Sequence, residues 1–110
     1  MTRDVVLTDV AIRRLDEIRE WTETRFGGRQ ARTYLDLIEE RIASLAAGRI
    51  EPRSAAVLSQ RLEDTEFQLV RAGEHVLVLR AIDGGFRILD VLHSRSDLIA
   101  HLTTLPKDET

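Results

Sequence analysis

Three short apolar runs, FQLVRA (67–72), HVLVLRAI (75–82) and FRILDVL (86–92), follow one another with almost nothing between them. Gly73-Glu74 separates the first two and Asp83-Gly84-Gly85 the last two. Runs of this length, rich in Val, Leu and Ile and parted by Gly-containing turns, form β-hairpins, and Asp-Gly is a strong hairpin signal. The pattern predicts a meander of three antiparallel strands. The last two runs are apolar at successive positions, so both faces of that part of the sheet must be covered. Whatever else the chain folds into, it has to supply those two covers.

The upstream half offers the first one. Val5-Val6-Leu7 reads as a short opening strand, and Thr8-Asp9 as a helix start with an acid near its positive end. Ala11, Leu15 and Ile18 follow at helical spacing, with Trp21 and Phe26 less regular, until Gly27-Gly28 stops the helix. A second stripe, from Ala31 through Tyr34, Leu35, Ile38, Ile42 and Leu45 to Ala46, predicts a helix from about Arg29 to Gly48, with Pro52 beyond it. Two helices joined by a glycine turn make a hairpin whose apolar face suits one side of the sheet.

The second cover is less legible. Residues 53–65 fit either a helical turn or a loop over apolar residues. After the last run, HSRSDLIAHL (93–102) reads as a strand exit followed by a short helix capped by Ser96 and ending at Leu102, before a polar tail at about 103–110. A small terminal helix of this kind, or a partner chain, must close the other face. The reading is a single domain, residues 1–110, of α+β class: β-α-α-β-β-β with a short C-terminal helix and a small twisted antiparallel sheet packed on a helix hairpin.

Composition narrows function more than fold. The chain has no cysteine, which removes disulfides, thiolate catalysis and Cys-based zinc sites. The three histidines lack the i, i+4 ligand spacing, so neither metal nor cofactor is expected. Of the 16 basic residues one is Lys107 and the rest are Arg, against 19 acids and a net charge of −3. Nucleic-acid binders gain affinity by neutralising phosphate and are usually basic, so direct sequence-specific DNA binding is not expected. Arginine suits planar contacts to carboxylates, which favours an acidic protein partner. No run is long and apolar enough to span a bilayer, and the first residues lack a signal-peptide core, so a cytoplasmic protein without membrane contact is expected.

The order of elements, together with GEHVLVLRAIDGGFRILDVLHSRSDLIAHL (73–102), resembles the ParE/RelE superfamily of toxins from type II toxin–antitoxin modules, and its ParE-like branch in particular. The residues that carry the resemblance are Gly73, Arg80 near a strand end, and His93, Arg95 and Asp97 at the next strand end. The helical half agrees in type. The resemblance implies a toxin of the kind associated with plasmid stabilization and growth arrest, held in a hetero-oligomer by a cognate antitoxin. It further implies a gyrase inhibitor without catalysis of its own. A RelE-like member would instead be a ribosome-dependent mRNA endonuclease. The nuclease alternative needs a cluster of basic groups around a phosphate. The middle-strand positions that should carry them are Phe67, Leu69 and Val76, leaving only Arg95 and His101 as candidate catalytic residues. Gln68 and Leu79 also depart from the branch's usual Arg and Tyr, which fits a weakened toxin, one with another target, or a detoxified relative.

The candidate residues for holding a target or antitoxin are Arg71, Arg80, His93, Arg95, Trp21 and Tyr34. Each has a plainer reading. Arg80 is placed to pair with Asp90 on the neighbouring strand, Ser96 and Asp97 to cap the last helix, and Trp21 and Tyr34 to line the core or a groove. His75, beside a turn, reads as surface. One Trp, one Tyr and three Phe are too few for a base-stacking platform.

Overall fold

The computed structural model describes residues 2–105. Strand β1 (Asp4–Leu7) leads into helix α1 (Asp9–Phe26), and Gly27 separates this from α2 (Gly28–Ala46). A two-residue strand β2 (Arg53–Ser54) follows, then two short 3₁₀ segments (Ala55–Val57 and Gln60–Thr65). Strands β3 (Gln68–Ala72), β4 (His75–Ile82) and β5 (Gly85–His93) form the expected meander, and α3 (Leu98–Thr104) closes the described chain.

The sheet runs in the order β1-β5-β4-β3-β2. Its β2–β5 ladders are antiparallel, but β1 lies parallel to β5, with Val5 opposite Phe86 and Leu7 opposite Ile88. Parallel pairing needs a long crossover, and here everything between β1 and β5 provides it. The Asp83-Gly84-Gly85 turn has a second duty in this arrangement. A Cβ on Gly85 would lie 1.8 Å from the Asp4 carbonyl oxygen, so β1 can approach β5 there only because no side chain intervenes.

Both covers are present. On one face Ile18 of α1 and Ile38 and Leu45 of α2 pack against Val70, Leu77, Leu79, Ile88 and Val91. On the other, Ala55, Leu62 and Leu102 bury Phe67, Val78, Leu89 and Leu92. Segment 53–65 and α3 therefore supply the second layer. Leu77 and Val78 are adjacent and both fully buried, one in each core. At about 1.5–3 kcal/mol for each fully buried Val or Leu, this central strand anchors the sheet from both sides.

Local hydrogen bonds explain where the helices begin and end. Buried Thr8 caps α1 by accepting from the Ala11 N–H (3.1 Å), while its hydroxyl donates to the Leu89 carbonyl (3.0 Å). Arg3 donates to the Leu45 carbonyl (2.7 Å) and the Ile50 carbonyl (3.2 Å), satisfying acceptors at the end of α2. Guanidinium groups suit this negative end of the helix dipole.

Two sequence expectations need correction at the C-terminal end. The cap of α3 is Asp97, whose carboxylate accepts from the Ala100 N–H (3.1 Å); Ser96 instead donates from Oγ to the His93 carbonyl (2.6 Å). The helix also continues past Leu102 to Thr104, and Leu105 packs into the second core, so the polar tail does not start at 103. Residues 106–110 of that expected tail lie outside the described residues.

Candidate protein-binding groove

A groove of about 580 Å³ opens between α1, the start of α2 and the β3–β4 turn. Trp21 and Phe26 form its outer wall, Ile18 and Thr22 its inner wall, and Tyr34, His75 and His93 its floor. Trp21 and Phe26 are 56% and 57% exposed, although they sit on an otherwise amphipathic helix. Their rings meet edge to face, 6.1 Å between centroids, and the Arg25 guanidinium lies over the indole at 5.0 Å. The helical stripe therefore ends at Ile18, and the next buried position is Thr22, not Trp21. Thr22 satisfies its hydroxyl on the Ile18 carbonyl (2.7 Å), which lets a polar residue take the inward position.

The floor is built by one α2 side chain. Tyr34 Oη accepts the Glu74 N–H (2.9 Å) and lies 2.5 Å from His75 Nδ1; the Ala72 carbonyl is a distant 3.5 Å. The phenol has one proton, and the 2.5 Å neighbour takes it, because a 3.5 Å contact is at the limit of a hydrogen bond. His75 is therefore an acceptor at Nδ1. Gly73, at φ +61°, makes room for the tyrosine: a Cβ there would lie 2.8 Å from Tyr34 Cε1.

His75 and His93 are cross-strand partners with ring centroids 5.1 Å apart. A β-bulge creates that pairing. Leu79 faces Ile88 but Val78 faces Asp90, leaving Leu89 as the extra residue on β5. Without it, counting back from the Ile82–Gly85 pair would set His75 opposite Leu92. His75 is half-buried, which corrects its reading as plain surface. Burial first, and then the positive charge of His93, lowers its pKa to about 4, so the ring is neutral near pH 7. Burial pushes the Tyr34 phenol up, keeping it protonated.

At the inner end, Arg14 of α1 bonds Asp90 of β5 in bidentate fashion (3.0 and 3.4 Å) and also reaches Glu17 (3.1 Å). The Asp90 hydrogen bond raises the Arg14 pKa further, so the pair stays ionic. Asp90, expected beside Arg80, is thus held by Arg14 and by the Val91 N–H (2.7 Å). Arg80 stands opposite Arg87 and lines a separate notch with Ser54, Glu66 and Gln68.

The predicted site residues therefore divide. Trp21, Tyr34 and His93 meet in the groove; Arg95 adjoins it, its N–H donating to His93 Nδ1 (3.0 Å). Arg71 lies at the turn, with its Nε on the Gly73 carbonyl (2.6 Å). Arg80 is elsewhere, and His101 is exposed on α3. His75, Glu74, Phe26 and Arg14 also line the groove and were not among the sequence candidates. Among the described residues no group of three or more His, Asp or Glu is placed to hold a metal ion, and no helix is long and apolar enough to cross a membrane.

A small α+β fold with exposed aromatics over a mostly apolar groove defines a protein-binding module. Its family follows from the sequence: the chain belongs to the ParE toxins of type II toxin–antitoxin systems (parDE), whose family model matches residues 5–98. It is a toxin of that class. Among solved structures it is similar to a chain of the "Chromosomal ParDE TA system from P. aeruginosa". That likeness has a TM-score of 0.68 at 17% identity and covers 84% of this chain and 96% of that one. At that identity the likeness speaks for the fold. No curated protein sequence matches the chain.

Proposed function

We propose that this toxin is neutralised in the cytoplasm by a cognate antitoxin that lays an apolar, amphipathic segment into the groove between α1, α2 and the β3–β4 turn. Released, it acts by binding a cellular target, which by family resemblance is DNA gyrase. The carrying observation is the exposed Trp21–Phe26 wall beside a Tyr34–His75–His93 floor. Exposed aromatics over a pocket are what binding hot spots are made of. Arg71 and Arg95 flank the groove and are the cations nearest to such a segment; Arg80 serves another surface.

Binding is favoured over RNA cleavage by the sheet itself. Phe67 and Val76 are buried and Leu69 packs against the second core, so none can offer charge to a phosphate. Arg95 and His101 alone lack the electrostatic term that dominates such catalysis.

The test is induction of the gene with and without its neighbour. Growth arrest relieved by the adjacent gene, with intact messages and defective DNA decatenation, is expected. Position-specific message cleavage by primer extension, or failure of the neighbour's product to bind, would overturn the reading. Trp21→Ala should leave stability within about 0.5 kcal/mol, as surface changes do, yet weaken antitoxin binding by about tenfold or more.

A further inference from the structure

Both imidazoles on the groove floor are locked in the same tautomer. A backbone N–H can only donate, so the Arg95 N–H fixes His93 Nδ1 as an acceptor and, in the neutral ring, puts the proton on Nε2. The Glu74 N–H to Tyr34 to His75 chain does the same for His75. Among the described residues neither Nε2 has a protein partner. The floor of a mostly apolar groove thus carries two adjacent N–H donors with nothing to receive them. A divalent metal would need both Nε2 atoms unprotonated, which this tautomer forbids.

We propose that the paired His75 and His93 Nε2–H groups are a seat for a neutral carbonyl oxygen of the docked segment, an Asn or Gln amide or a free backbone carbonyl. The proposal rests on the antitoxin reading and adds what the segment must present. Charge decides against a carboxylate. Facing the seat are Glu74 from the turn, Glu17 and Arg14 from α1, Tyr34 from α2, and Asp90 and Arg95 around the end of β5. Arg14 is already shared between Asp90 and Glu17, and Arg71 is held on the Gly73 carbonyl. Glu74 stands beside His75, where its charge is felt by the ring. A further carboxylate would meet that acid at short range, whereas a carbonyl would take both donors at no Coulombic cost.

Two substitutions separate the seat from the turn it helps to hold. His93→Asn keeps an oxygen near the Nδ1 position for the Arg95 N–H and removes the outer donor. His93→Gln keeps a donor near Nε2 and gives up the inner acceptor. The wild-type and variant toxins are titrated with the product of the adjacent antitoxin gene by calorimetry, with thermal melting alongside. His93→Asn should keep its melting temperature and lose about three- to tenfold in affinity, the range for one neutral hydrogen bond. His93→Gln should melt lower yet bind within about twofold of wild type. Wild-type affinity should be flat from about pH 7.5 to about pH 6, without proton uptake.

Equal affinity of His93→Asn and wild type would overturn the seat and leave the antitoxin reading standing. Affinity that rises on acidification, with a proton taken up, would overturn the neutral-carbonyl assignment in favour of a carboxylate. No binding by the wild type would overturn the antitoxin reading itself.

Discussion

Gly73→Ala is the sharpest test of how the groove floor is built. The residue sits at φ +61°, where an alanine costs about 1–2 kcal/mol from its own backbone. The new methyl would also lie 2.8 Å from Leu37 Cδ2, 2.8 Å from Tyr34 Cε1 and 3.0 Å from the Tyr34 oxygen. Leu37 is 42% exposed and can swing its tip into solvent cheaply. Tyr34 cannot move without releasing the Glu74 N–H and His75 Nδ1, each bond contributing about 1 kcal/mol. The expected loss is therefore about 3–4 kcal/mol, a large share of the roughly 5–15 kcal/mol that holds an ordinary domain together.

The measurement is urea denaturation followed by far-UV circular dichroism, in wild-type and Tyr34→Ala backgrounds. With the ring gone, only the backbone term and a movable leucine remain, so the same substitution should cost about 1–2 kcal/mol. The coupling between the two sites is then about 2 kcal/mol, well outside the scatter of independent mutations. An equal cost in both backgrounds would show that Tyr34 is not the obstacle, and the account of a tyrosine-pinned turn would fail.

Two further outcomes follow from the same geometry. Thr8→Ala removes a helix cap and orphans the buried Leu89 carbonyl, so a loss of about 1–2 kcal/mol is expected by urea denaturation; Thr8→Ser should recover most of it. His75 binds its proton more weakly in the folded chain than in the unfolded one, with its pKa lowered from 6.5 to about 4 by burial first and by His93 second. The folded state's advantage from this ring is complete above about pH 6.5 and is lost as pH falls toward about 4. His75→Asn keeps an acceptor for Tyr34 and does not titrate, so its urea midpoint should fall less than that of wild type across this window; parallel falls would refute the assignment.

Much of the fold was legible in the residues because period and punctuation agreed. Gly27, Gly73 and Asp83-Gly84-Gly85 mark turns, and strands apolar at every position demanded two covers. The parallel β1 was not legible, since Val5-Val6-Leu7 carries no direction; the approach that Gly85 permits becomes apparent only beside Asp4. Segment 53–65 hid the second cover because Ala55, Leu62 and Phe67 are spaced by neither helix nor strand period. At the groove, Trp21, Tyr34 and His93 were recognisable as residue types that bind. His75 was not, because its distance from the Asp-Gly turn matches Leu92 on β5, and His93 becomes its partner only through an inserted residue.

That inserted residue connects the architecture to the site. In a regular strand Leu89 and Val91 would share a face; here Leu89 belongs to the second core and Val91 to the first, which already holds Ile88. Buried in the second core, Leu89 absorbs the irregularity with apolar packing. Its neighbour Asp90 is released from ordinary alternation to reach Arg14, tying α1 to β5 at the inner end of the groove. Past the bulge the register is shifted by one, which brings His93 level with His75 and under Tyr34. Bulges concentrate where a strand must re-aim side chains for function. The ion pair, the tautomer-locked imidazoles and the pinned turn therefore depend on one β5 residue outside the groove, and they hold the floor rigid beneath an exposed aromatic wall. A partner segment meets a surface already in its binding shape, so little of its burial energy is spent on ordering the toxin.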